Sequence, residues 1–256
     1  GLLDALAVAL KPLVERLLGR TRVRRDHTES ESVRLVMEVG HRMQRCPTSS
    51  VQVQLVVNQE HITYKRDLAG STRSSRAATA RATSDAVAIM QSHATSSSNA
   101  SVLPLIAYYR TSRLRSAKDA PSLTPTANAD RRMAGYSASL SSLSSFTGVM
   151  DWFDAQWREA GDPRFSGELR HNLPVLAGVQ QAVRTVLAPT GWYEIDWDSS
   201  QQSIVVAHPE KGRFPLLALS DGVRSMTALV ADIARRCATL NPHLSSEASL
   251  QTHGVL

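Results

Sequence analysis

Leu219-Ser220-Asp221-Gly222-Val223-Arg224-Ser225 is the stretch whose residue types and order could hold an anion. A short polar turn containing Gly, set directly before a long amphipathic run, presents unpaired backbone N–H groups and the positive end of a helix dipole. The same residues also suit a plain capped core helix, because Ser220 is a good N-cap and Asp221 fits a first turn. Other chemistry is sparse. Cys46 and Cys237 are too few and too far apart for a zinc framework, and the eight His lack metal-ligand spacing. No HExxH and no nucleophile elbow occurs. The sequence therefore designates no metal site and no catalytic residue of its own.

Beyond the turn, the apolar residues Met226, Leu229, Val230, Ile233, Cys237 and Leu240 recur at spacings of three and four. They predict one helix with a continuous buried stripe, Arg235 and Arg236 in its last turn and Asn241-Pro242 as its stop. Upstream, residues 192–197, 203–208 and 213–217 read as short strands joined by polar turns at Asp198-Ser199-Ser200 and Pro209-Glu210-Lys211-Gly212. Two amphipathic helices precede them over residues 145–159 and 168–187. The first carries Phe146, Val149, Trp152, Phe153 and Trp157 on one side as core rather than as a base-stacking platform.

Residues 102–114 read as a buried strand followed by Arg110, Arg113 and Arg115 in a solvated basic turn, and residues 116–144 as linker. A helix is expected over residues 83–93. Residues 33–39 and 51–57 are strand-like, and residues 61–66 read as a hairpin return over Asn58-Gln59-Glu60. Residues 20–32 form a charged connector. Residues 1–19 predict a helix with a core stripe of Leu3, Leu6, Leu10, Leu13, Leu17 and Leu18, with Pro12 as a kink site. Asp4 and Lys11 interrupt that run, which argues against a signal peptide or membrane span.

Residues 219–242, LSDGVRSMTALVADIARRCATLNP, resemble the signature motif and following helix of ABC-type ATPases, in the RecF- and SMC-related branch found among bacterial AAA family ATPases. The resemblance implies an α/β P-loop NTPase core with an antiparallel β layer and an inserted helical lobe, truncated at both ends. Residues 1–69 would be the helix after the phosphate-binding loop and the β layer. Residues 70–190 would be a helical, variable lobe containing the core strand 102–109, and residues 191–256 the signature-bearing part. In the family, a helix much like LLDALAVAL follows GxxxxGK[ST], which would place Gly1 just past that loop, and no other copy of the motif occurs.

The resemblance further implies ATP and Mg²⁺ as ligands, with the Mg²⁺ ligands outside the chain, because the Asp-Glu strand would begin where residues 252–256 stand. Leu219, Ser220, Asp221, Gly222, Arg224 and Ser225 would complete the nucleotide site of a second protomer in a head-to-tail homodimer. Ser220 Oγ and the Gly222 N–H would donate to the γ-phosphate, and Arg224 would pass that contact to the helical lobe. Tyr109, Thr111 and Arg113 would fall in a region that senses the γ-phosphate. Asp221 replaces the first Gly of the general LSGG signature, and a carboxylate beside phosphate is repulsive. Residues 1–256 alone are expected not to turn over ATP.

The net charge of +6 and a pI near 9.7 favour a polyanionic partner, although Arg-rich composition also follows from genome base composition. Relatives in this branch act on or beside DNA in repair or phage defence, which implies DNA and a partner or fused nuclease as companions. A reducing cytoplasm suits the chain. The alternative class is a non-enzymatic nucleic-acid-binding or protein-interaction module. A transporter-type ABC subunit fits poorly, given the long insertion between residues 20 and 190 and the LSDG turn.

Overall fold

The computed structural model describes residues 2–20, 35–37, 43–45, 49–57, 60–69, 72–94, 101–109, 131–140, 146–161 and 173–255. The expectations for residues 21–34, Cys46, Asn58-Gln59, residues 110–130, with Thr111 and Arg113 among them, and residues 162–172 fall outside these. The chain combines helices with mainly antiparallel sheet and forms two compact units. One comprises Gly1–Ser101 and Pro125–Ala129, the other Val102–Thr124 and Asp130–Leu256.

In the first unit, α1 (Leu2–Leu17) packs on the hairpin of β3 (Ser49–Val57) and β4 (Glu60–Ala69) and on α2 (Arg73–Ala94). A separate antiparallel pair joins β1 (Leu35–Met37) to β2 (Met43–Arg45); of the strand expected over residues 33–39, residues 35–37 are described and are strand. Pro12 explains how α1 and β4 are joined. Lacking an N–H, it leaves the Val8 carbonyl without its donor four residues on. Arg66 Nη1 supplies that donor from β4, and Tyr64 Oη bonds the neighbouring Ala9 carbonyl at 2.8 Å. The α1 stripe is buried from Ala7 to Leu18, but Leu3 (56% exposed) and Leu6 (38%) are not part of it. The first turns lie beyond the cover that hairpin and α2 give the rest.

Gly19, at φ 76°, ends α1 in a left-handed residue, with Gly19 N–H bonded to the Arg16 carbonyl and Arg20 N–H to that of Glu15. α2 begins ten residues before the helix expected from residue 83. Thr72 and Ser75 cap it reciprocally, each backbone N–H reaching the other's hydroxyl at 3.1 Å. Thr79, Thr83 and Ser84 then turn their hydroxyls back onto carbonyls of the preceding turn, so residues that normally compete with a helix are absorbed into it.

The second unit is built on α5 (Asp221–Leu240), against which α3 (Phe146–Gly161), α4 (Leu173–Leu187) and a 3₁₀ segment over Arg131–Tyr136 pack. A three-stranded antiparallel sheet runs in the order β6 (Glu194–Asp198), β7 (Ser203–His208), β8 (Gly212–Pro215). The Asp198 carboxylate takes the N–H groups of Ser200 and Gln201, which makes the β6–β7 turn. A two-stranded parallel pair joins β5 (Leu105–Ile106) to β9 (Gly254–Val255), in the register Leu105 to Gly254 and Ile106 to Val255.

The core of this unit includes Met133, Tyr136, Val149, Phe153, Val183, Leu187, Ile195 and Ile204. Phe153 and Val149 carry the buried side of α3, while Trp157 is 36% exposed. The stripe expected on α5 is displaced. Its buried positions are Thr227, Ala231, Asp232, Ala234, Arg236, Cys237, Ala238 and Leu240, whereas Met226 is 46% exposed and Leu229, Val230 and Ile233 are half-buried. Small residues on that face admit close neighbours: a Cβ on Gly135 would stand 2.5 Å from Leu240 Cγ and 3.1 Å from the Arg236 carbonyl. Asp232 and Arg236 are drawn inside because Arg236 satisfies carbonyls there.

Candidate functional site

The turn before α5 follows directly from the edge of the antiparallel sheet. β8 ends at Pro215, residues 216–218 make a single 3₁₀ turn closed by Leu219 N–H to the Leu216 carbonyl, and Ser220 enters α5 at φ −58°, ψ 150°. Ser220 stands at the N-cap position, as its residue type suggests, yet its side chain makes no capping bond and is exposed. The first-turn N–H groups have no carbonyl four residues back to bond. Ser220, Asp221 and Gly222 are exposed there.

Gly222 stands in open space: a Cβ built there meets nothing within 4 Å. Nothing in the packing of the described residues requires Gly at that place. Asp221, 87% exposed, is paired with Arg224 Nη2 at 2.5 Å, and Arg224 Nη1 reaches the Leu217 carbonyl at 3.4 Å. The carboxylate that would repel a phosphate thus has its charge offset one turn along the same helix. Leu219 and Ser225 are half-buried and flank the turn.

Tyr109 is brought to α5 from the other side. Its hydroxyl donates to Asp232 Oδ2 at 2.8 Å, the oxygen that also takes Arg236 Nε at 2.8 Å, while Arg235 is paired to Oδ1. Arg236 Nη1 closes the cluster on the carbonyls of Gly135 (2.7 Å) and Ser137 (2.9 Å). Arg235 and Arg236 therefore serve an internal acid rather than the last turn of the helix. Burial alone would push the Asp232 carboxyl up, but the Arg236 and Arg235 guanidiniums outweigh it and hold the group well below the usual carboxylate range. Burial, reinforced by Asp232, raises the Tyr109 phenol, which stays a proton donor.

Sequence reasoning missed Asp232, although an acid followed at three and four residues by two Arg on one helix is a readable ion-pair spacing. It also read Asn241 only as a helix stop. In the structure Asn241 is fully buried: its Oδ1 takes the Leu103 N–H at 2.7 Å, and its Nδ2 donates to the Leu103 carbonyl (2.9 Å) and to Thr252 Oγ1 (2.8 Å). Cys237 is buried, and burial raises its thiol, so it is no ready nucleophile. Among the described residues no group of three or more His, Cys, Asp or Glu is placed to hold a metal ion, and no helix is long and apolar enough to cross a membrane. No protein-family model matches the chain, and no curated protein matches its sequence.

Proposed function

We propose that the chain is the central part of an ABC-type ATPase that binds and hydrolyses ATP with Mg²⁺ at a head-to-tail homodimer interface, acting with DNA and a partner or fused nuclease in repair or phage defence. The observation that carries this reading is the parallel β5–β9 pair with α5 packed against β5. Parallel strands need a crossover and belong to α/β cores. Here the crossover joins residues 102–109, read as a core strand, to residues 252–256, read as the start of the strand that ends in the acids. The open, uncapped turn at the head of the intervening α5 lends further support.

The residues of that turn fit a terminal phosphate. Ser220 Oγ makes no capping bond and would donate together with the Gly222 N–H, Gly222 presents no side chain to hinder approach, and Arg224, paired with Asp221, would keep that carboxylate from opposing the ligand's charge. ATP with Mg²⁺ supplies the phosphoryl group and the metal's charge neutralisation when bound. Residues 219–225 include no phosphate-binding Lys and no general base, so on this reading the turn contributes binding in trans. The test is ATP hydrolysis by the full-length protein, with and without DNA, against Ser220→Arg, which fills the turn. Loss of one oxyanion-type donor together with steric blockage is expected to lower turnover by at least about 10²-fold. Turnover equal to wild type would mean the turn is no part of a nucleotide site.

A further inference from the structure

β3 reads Ser49-Ser50-Val51-Gln52-Val53-Gln54-Leu55-Val56-Val57, with no charge, no Pro and no Gly in it. β4, its partner in the hairpin, carries Glu60, Lys65, Arg66 and Asp67. Among the described residues the sheet consists of these two strands alone, so each has an outer edge. Edge strands ordinarily resist pairing with other chains through charged side chains, Pro, bulges or a covering element. β4 has both charge and cover, since Thr79 Oγ1 of α2 bonds the Lys65 carbonyl at 2.6 Å. β3 has no charge, and among the described residues no hydrogen bond reaches its outer edge. Its one irregularity of register lies at its very start, between Ser49 and Ser50.

The Lys65 bond also identifies the groups that face outward. Opposite residues in an antiparallel pair alternate between exchanging both backbone bonds and exchanging none. A Lys65 carbonyl turned to α2 makes Lys65 and Gln52 a non-bonded pair, so Gln52, and with it Gln54 and Val56, aim N–H and C=O away from β4. The side chains of β3 divide cleanly between two faces. Val53 is buried with Val51 and Leu55 half-buried beside it, while Gln52, Gln54 and Val56 are exposed on the opposite face, Val56 at 64%. An antiparallel copy of the same strand, related by a two-fold axis at Val53, matches this pattern. Gln52 then meets Gln54 of the second copy, twice by symmetry, and an amide side chain both donates and accepts. On the other face Val53 meets Val53 and Val51 meets Leu55, apolar against apolar, with no like charges opposed along the strand. An axis at Gln54 would instead set Gln52 against Val56.

From this we infer that the outer edge of β3 is a self-pairing interface, at which two copies of the chain join their hairpins into one four-stranded antiparallel sheet. The contact is isologous, and the outer edges of the joined sheet are both β4, charged and covered by α2, so assembly closes at two copies. It involves neither ATP nor residues 219–225 and does not rest on the nucleotide reading of that turn. Sedimentation equilibrium of the full chain without nucleotide tests it, and a reversible monomer–dimer equilibrium is the expected result. Gln52→Glu with Gln54→Glu sets carboxylate against carboxylate in the paired strands. Within the hairpin, position 52 still faces Lys65 and position 54 still faces Thr63, so the fold is spared. This variant is expected to raise the dimer dissociation constant at least about tenfold with its circular dichroism unchanged. Gln52→Glu with Gln54→Lys opposes unlike charges in the same register and is expected to restore the constant to within about threefold of wild type. The assignment is overturned by a wild-type chain that stays monomeric, by a dimer that forms only with ATP, by an unweakened carboxylate variant, or by equal loss in both double variants.

Discussion

Asp232 shows how one buried charge can organise three segments. Its two oxygens take donors from Tyr109, Arg235 and Arg236, and Arg236 in turn holds the carbonyls of Gly135 and Ser137. Removing one partner of such a cluster strands the others, so Asp232→Asn is expected to lower stability by about 3–5 kcal/mol at pH 7. The pH dependence has a definite sign. The native carboxyl titrates well below its unfolded value, so between the two values the unfolded chain binds a proton that the native chain does not. Stabilisation is therefore complete above about pH 5 and drains as pH falls towards the native value. Urea midpoints of wild type and Asp232→Asn, measured at pH 7, 4 and 2.5, should converge as the solution is acidified. A gap that stays constant across that range would exclude the carboxylate as its source.

At the scale of elements, α5 separates a clamped end from a presented end. Its C-terminal half is tied into the unit through Asp232, Arg236 and the Arg132 bond to the Leu240 carbonyl (2.6 Å), whereas Ser220, Asp221 and Gly222 face solvent. Gly222→Ala tests what the presented end is for. With open space at that Cβ, the substitution should stabilise the chain by about 0.4–1 kcal/mol. On the proposed nucleotide reading of this turn it should nonetheless lower ATP turnover, because a methyl would stand where the phosphate would approach. Thermal denaturation and ATPase assays moving in opposite directions are the expected pair of results, and destabilisation would refute the steric argument.

Legibility in the sequence followed from how local each cause was. The span of α5, the β7 strand and the hairpin return could be read because capping, alternation and turn residues act over a few positions. The start of α2 could not, because its cap pairs Thr72 with Ser75 rather than with Glu or Gln, and because Ser and Thr inside it look like loop until their hydroxyls are seen to bond the previous turn. The buried face of α5 was misread because apolar periodicity is blind to an Asp–Arg pair that goes inside to satisfy backbone carbonyls. The open turn at residues 219–222 was legible as residue types, while the offset of Asp221 by Arg224 depended on a side-chain geometry that spacing only permits.

At the scale of the molecule, the parallel β5–β9 pair is the most non-local strand pairing among the described residues, since it joins residues 105–106 to 254–255 across nearly the full second unit. Gly254 is essential to it: a Cβ there would stand 2.3 Å from the Leu105 carbonyl oxygen. Gly254→Ala is expected to cost about 1–3 kcal/mol through overpacking against backbone. Trp152, Trp157, Trp192 and Trp197 all lie in this unit, so the tryptophan-detected urea midpoint should fall. A midpoint equal to wild type would mean the pair contributes nothing to the unit's stability.

Asn241 adds a consequence of a different kind. By offering Leu103 both an acceptor and a donor, its side chain imitates one residue of an adjoining strand, and through Thr252 it also grips the segment that leads into β9. The Leu103 amide is thereby withdrawn from solvent by a single side chain anchored at the end of α5. Its exchange for deuterium is therefore expected to be slow and to report the release of that helix end from the segment before β5.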